Sequence, residues 1–169
     1  MLIVRRRAAT ALAPDLVLEL AFEDRRRTRL RTQAASGEEV ALFLDRGSVL
    51  RHGERLQADD GRVLEIVAAH EALLEVETHD AAQLARAAYH LGNRHAVVEI
   101  GPARVRCPAD PTLARMLETL GVSVHEIRAP FAPEPGAYAA GHTHGGHHRG
   151  VIHDRAAAHS HPEGHSHDR

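Results

Sequence analysis

The chain has 169 residues, 43% hydrophobic and 26% charged, a globular composition whose core must rest on Leu, Val, Ile and Ala because Trp is absent. A single cysteine, Cys107, excludes an internal disulfide, a Cys-rich zinc finger and an iron–sulfur centre. No apolar run approaches the roughly 20 residues of a membrane span, and a net charge of −2 gives no global bias toward nucleic acid or membrane.

The opening Met-Leu-Ile-Val-Arg-Arg-Arg places its charges after the apolar residues, the reverse of a secretory signal, so a soluble cytoplasmic protein is expected. Residues 1–74 read as a small all-β domain. Leu16, Leu18, Leu20 and Phe22 alternate with Val17, Glu19, Ala21 and Glu23, the period of a half-buried strand. Val40 to Leu44 and Val63 to Val67 are further short runs, with turn chemistry at Ser36-Gly37, Arg46-Gly47 and Asp59-Asp60-Gly61. Gly61 is placed to take the positive φ of a tight hairpin. No segment here shows a helical stripe.

The pattern changes in the next stretch. Glu71 to Thr78 reads as a strand, and Asp80 is an N-cap candidate with Gln83 at capping-box spacing. Leu84, Ala85, Ala88 and Leu91 recur at helical intervals, with Gly92 as the expected C′ terminator. Ala96 to Ile100 and Arg104 to Cys107 follow as strands. Asp110 caps a second helix with Pro111 at its first position and Leu113, Met116, Leu117 and Leu120 on its apolar face, ended by Gly121. Val122 to Ile127 is a last strand. The order β-α-β-β-α-β predicts a ferredoxin-like unit over residues 75–138, giving an α+β protein. Residues 139–169 have no periodic apolar pattern and are expected to form a disordered histidine-rich tail.

Of 15 histidines, nine fall between residues 142 and 169 (His142, His144, His147, His148, His153, His159, His161, His165 and His167). In an extended chain, residues i and i+2 point the same way about 6–7 Å apart, so His-x-His pairs converge on one ion with slight bending. Imidazole suits Ni²⁺, Cu²⁺ and Zn²⁺, and the absence of a thiolate in this segment disfavours Cu⁺. Asp154 and Asp168 could add oxygen ligands. The bland alternative is a passive solvated end or an expression tag, but the histidines are interspersed with Asp, Arg and Glu rather than run together. Fifteen protonated histidines would take the net charge from −2 to +13, so surface charge depends strongly on pH.

Two other constellations stand out. His90, in the last turn of the first predicted helix, and His95, beyond the Gly92 break, do not by their spacing define a metal site. Arg25, Arg27, Arg29 and Arg31 would share one face if they lay on a strand, offering forked donors to carboxylates or phosphates. The stretch through Glu77 is not basic overall, with 12 arginines against 14 acidic residues. A charged, solvated edge strand is the favoured reading, an acidic protein partner the alternative. His52, His70, His79 and His125 read as structural or surface residues. Walker, dinucleotide-binding, zincin and nucleophile-elbow signatures are missing, so catalysis is not expected.

Taken together, Asp45-Arg46-Gly47-Ser48-Val49-Leu50-Arg51-His52-Gly53, Ala58-Asp59-Asp60-Gly61, Ala88-Tyr89-His90-Leu91-Gly92-Asn93-Arg94-His95 and Pro130-Phe131-Ala132-Pro133-Glu134-Pro135-Gly136-Ala137-Tyr138 resemble the urease accessory nickel metallochaperones, UreE. The resemblance runs from about residue 10 to the C-terminus. It implies a peptide- or partner-binding β-domain joined to a ferredoxin-like metal-binding domain, assembled as a two-fold homodimer. It also implies His95 as the core nickel ligand facing its symmetry mate, His90 as an auxiliary ligand, and delivery of Ni²⁺ to a urease accessory GTPase and apo-urease, with Zn²⁺ or Cu²⁺ as competitors. Where some members carry further histidines, this chain reads Arg106-Cys107-Pro108-Ala109-Asp110-Pro111, leaving Cys107 and Asp110 as substitute ligands. A general nickel or zinc store acting through the tail is the rival function.

Overall fold

The computed structural model describes residues 1–45 and 49–135. The first unit contains β1 (Leu2–Arg7), β2 (Leu16–Leu20), α1 (Phe22–Arg25), β3 (Arg29–Gln33), β4 (Glu39–Phe43), β5 (Arg55–Ala58) and β6 (Val63–Ala68). Its strands form one six-stranded sheet in the order β2-β6-β5-β1-β4-β3. The alternation read at Leu16, Leu18 and Leu20 is the inward face of β2, and Leu18 and Leu20 join Leu2, Val4, Val40, Leu42, Leu56, Leu64 and Ile66 in the core. Gly61 has φ +96, as its hairpin requires.

Three features depart from the sequence reading. Residues 2–7, to which the pattern assigned no strand, form β1 in the interior of the sheet, parallel to β4 and antiparallel to β5. Leu2 and Val4 are buried there while Arg5, Arg6 and Arg7 stand exposed. The four-residue helix α1 interrupts the all-β pattern and is too short to show a helical stripe. Finally, Arg25 is not on a strand face with Arg29 and Arg31. It lies on α1 and is buried, because its guanidinium donates to the carbonyls of Leu50 and Phe131.

The second unit contains β7 (His70–Glu77), α2 (Ala81–Gly92), β8 (Glu99–Gly101), β9 (Arg104–Pro108), α3 (Pro111–Thr119) and β10 (Val124–Pro130). This is the expected β-α-β-β-α-β order, in an antiparallel sheet ordered β10-β7-β9-β8. Of the predicted 96–100 run only Glu99 and Ile100 pair as strand, which extends to Gly101. Leu84, Ala88, Leu91, Leu113, Met116 and Leu117 pack the helices onto Leu74, Val76, Val105 and Cys107 of the sheet. Asp80 accepts from the N–H groups of Ala82 and Gln83, and Asp110 from those of Thr112 and Leu113, so both predicted N-caps form. The reciprocal capping-box bond does not form: the Thr78 hydroxyl accepts the Asp80 N–H and donates to Gln83 Oε1.

The opposite face of this sheet meets the first unit. Phe22 of α1 packs edge-on against Phe131 with ring centroids 5.6 Å apart, beside Leu73. The Phe22 N–H donates to Glu71 Oε1 at 2.7 Å. Arg25 closes the contact through the Phe131 carbonyl, and burial lowers its pKa from the ordinary arginine value, partly offset by the nearby Glu71 carboxylate. No helix among the described residues is long and apolar enough to cross a membrane.

Candidate metal centre

The end of α2 sets the geometry. Gly92 was the expected C′ residue, yet it remains helical, and the left-handed conformation falls three residues later, on His95 (φ 55). The His95 N–H donates to the Gly92 carbonyl at 2.9 Å and the Ala96 N–H to the Leu91 carbonyl at 3.2 Å. These are the 5→2 and 6→1 bonds of a Schellman motif with His95 at C′, and Ala96 packs with Leu91 in the core as the motif prefers. Glycine is the usual occupant because a Cβ is strained there. His95 therefore sits at a fixed kink, exposed, its imidazole without a hydrogen-bond partner among the described residues.

His90 lies one turn before that kink. It is half-buried, its ring centroid 5.3 Å from that of Tyr89, and its carbonyl accepts from Arg94 Nη1 at 3.3 Å. It lines an open groove of about 410 Å³ between α2 and α3 with Arg94, Thr112, Arg115 and Met116. His95 is not part of that lining, so the two histidines are not brought to one pocket. Two arginine cations beside His90 also oppose a divalent ion there. Two large apolar side chains flanking His95 in the sequence are exposed, Tyr89 on α2 (65%) and Ile100 on β8 (50%).

The substitute ligands read from the sequence do not fit. Cys107 is buried between sheet and helices, and burial, aided by Asp110, pushes its thiol up to about 11, away from the thiolate a metal needs. The Asp110 carboxylate is engaged as the α3 cap. Among the described residues no three His, Cys, Asp or Glu side chains come close enough together to hold an ion. His142, His144, His147, His148, His153, His159, His161, His165 and His167, with Asp154 and Asp168, lie outside the described residues. Of the histidines read as structural, His52 accepts the Ala68 N–H through Nδ1 and His70 Nδ1 lies 3.4 Å from the Arg128 carbonyl, while His79 and His125 are exposed.

One feature near the site was not legible in the sequence. After β10 the chain turns back, so that the Ala132 N–H donates to Glu99 Oε2 and the Glu134 N–H to the Val98 carbonyl, both at 2.8 Å. Glu99 is held for this by Arg106 and Arg104. The prolines at 130, 133 and 135 announce a stiff exit, but nothing local says where it docks. It docks beside the segment that leaves His95.

The profile of the UreE urease accessory protein N-terminal domain matches residues 3–69, and that of the C-terminal domain residues 71–168. The chain belongs to the UreE urease accessory protein family. It is 53% identical over 139 residues to the urease accessory protein UreE of Paraburkholderia xenovorans (strain LB400), covering 79% of this chain and 62% of that protein. Against the UreE of Burkholderia vietnamiensis (strain G4 / LMG 22486) it is 52% identical over 138 residues, covering 82% and 69%. Against that of Burkholderia mallei (strain SAVP1) it is 51% identical over 140 residues, covering 83% and 69%. The chain thus spans 62% of the length of the first relative and somewhat more of the other two.

Proposed function

We propose that this chain is a nickel carrier that serves urease maturation, holding Ni²⁺ at His95 in a two-fold homodimer and releasing it to the urease assembly machinery, a GTPase and apo-urease. The observation that carries the reading is His95 itself, an exposed imidazole held in a strained kink where glycine would be easier. A single imidazole is a weak ligand set, and a two-fold axis beside His95 would double it. His90 is left a lesser, auxiliary role, because Arg94 and Arg115 beside it oppose a divalent ion.

The tether of Glu134 to Val98 supports recruitment of further ligands from the C-terminal segment. Eight residues separate Glu134 from His142, and an extended chain covers up to about 3.3–3.6 Å per residue. Three residues separate Val98 from His95, so the first His-x-His pair has ample reach. Such ligands suit a carrier, because their release leaves the ion on two imidazoles and open to exchange. Protons compete for every imidazole, so capacity falls with pH.

Nickel titration with mass measurement on the full chain, a 1–138 truncation and its His95→Ala variant tests this. One ion per dimer retained by the truncation and lost on His95→Ala supports the carrier. Binding lost entirely with residues 139–169 replaces it with a nickel or zinc store acting through its histidines. Zn²⁺ and Cu²⁺ should compete at the same site.

A further inference from the structure

The arginines of β3 serve no part of the nickel reading, and the structure shows them in a setting that the sequence did not. β3 ends the six-stranded sheet, with β4 as its strand neighbour among the described residues. The Leu44 N–H donates to the Thr28 carbonyl and the Ala34 N–H to the Glu38 carbonyl, which fixes the alternation. Even-numbered residues of β3 turn their peptide groups to β4, whereas those of Arg29, Arg31 and Gln33 point to the open edge. None of these three makes a further backbone hydrogen bond among the described residues. The Ala35 N–H, next in phase, already donates to the Val17 carbonyl of β2, so the edge is able to bond a second strand where one reaches it.

The side chains on this edge are equally uncommitted. Arg29 and Arg31 are exposed on the outer face and have no carboxylate partner among the described residues, unlike Arg27, which pairs with Asp24, and Arg5, which pairs with Asp59. Phe43, opposite Arg29 in the ladder and 42% exposed, lies on the same face under the Arg5 guanidinium, 5.2 Å from ring to cation. On the inner face Leu30 is half-buried at the rim of the core. Exposed charge is one way an edge is defended, and inward charge or a broken ladder are others. This edge leaves an apolar inner side and a regular row of donors and acceptors.

We propose that the β3 edge is a docking site for an extended acidic segment of a partner protein, added antiparallel as a further strand with carboxylates at alternate positions facing Arg29 and Arg31. Backbone bonding to three residues provides the affinity and the two guanidinium forks the specificity. Residues between the carboxylates face inward and cover Leu30. A peptide fits better than a nucleic acid. Only a peptide backbone matches alternating N–H and C=O groups, and the one aromatic face here is already taken by Arg5. This inference stands independently of the nickel reading.

The test uses the full-length chain at pH 8 with a chelator present, so that it is metal-free, and a fluorescein-labelled octapeptide, Glu-Val-Glu-Thr repeated twice. Anisotropy should show salt-sensitive binding that the Lys-for-Glu peptide lacks. Arg29→Glu with Arg31→Glu should weaken it at least tenfold, and Arg31→Gln alone by an intermediate factor, with unchanged circular dichroism. N-methylation of the Glu amides, which face β3, should abolish it. No binding by the acidic peptide, or binding indifferent to N-methylation or to the arginine variants, overturns the proposal. So does a single-stranded oligothymidylate that binds more tightly than the peptide and is lost with the same two arginines.

Discussion

Replacing His95 by glycine should separate folding from metal binding. His95 holds φ 55 at the C′ position of α2, where an L-residue is strained by about 1–2 kcal/mol relative to the right-handed region. The side chain is exposed and unbonded, so its removal costs little packing. Glycine relieves the strain but loses about 0.4–1 kcal/mol through the freedom of its unfolded chain. Alanine keeps the strain. The metal-free His95→Gly protein should therefore be more stable than His95→Ala by about 1 kcal/mol and at least match the parent. Urea unfolding in chelator reads this as a rise in midpoint at constant slope, while the proposed nickel binding at His95 should be lost in both variants. Gly92→Ala is the control. Gly92 is helical with open space around its missing Cβ, so alanine there should stabilise by up to about 1 kcal/mol, whereas at a true C′ it would destabilise. Equal destabilisation by His95→Gly and His95→Ala would refute the argument, because it would mean the imidazole holds the fold together.

Three further outcomes follow from the same coordinates. Ala103 has φ 65 in the two-residue turn between β8 and β9, after Pro102, so Ala103→Gly should raise the thermal midpoint by the equivalent of about 1 kcal/mol. Arg25→Ala removes a buried guanidinium and strands the Leu50 and Phe131 carbonyls. A loss of about 3 kcal/mol is expected, with faster amide exchange at Phe131–Glu134; exchange unchanged there would refute its role in joining the two units. The Arg62 guanidinium donates to Glu38 and holds its carboxyl below the ordinary 4.5, whereas Asp60 is held below 3.8 first by the Arg62 backbone N–H and then by the guanidinium, so Arg62→Gln acts chiefly through Glu38. A folded pKa below the unfolded one means stability present above the ordinary value and lost as pH falls through the folded one. The stability gap between the parent and Arg62→Gln should thus be open at pH 6 and close in acid; a gap independent of pH would contradict the pairing.

What can be read along the chain is what neighbouring residues determine. Asp80 and Asp110 cap because an aspartate oxygen reaches the N–H groups two and three residues ahead, and Pro111 suits a first turn without a partner for its missing N–H. Gly121 ends α3 with φ +75, as its position foretold. The alternation of Leu16, Leu18 and Leu20 identifies β2 from its own period, and the β-α-β-β-α-β order identifies the second unit. Local rules also misled: Gly92 looked like the terminator, but the helix end is set by where Ala96 packs against Leu91, which moves the left-handed residue to His95.

Everything that depends on residues far apart had to wait for the tertiary structure. Arg25 belongs by pattern to a row of solvated arginines, yet it is buried because Phe131, more than a hundred positions later, brings a carbonyl to it. The central place of β1, the return of residues 132–134 to Val98 and Glu99, and the open edge of β3 are pairings between distant segments that no window of sequence contains. By itself, then, the sequence determined the order of the second unit, its two helix caps and the period of strands such as β2. Only the tertiary structure decided which charged and imidazole groups are buried, tethered or left free, because long-range burial and hydrogen bonding outweigh local preference wherever the two conflict.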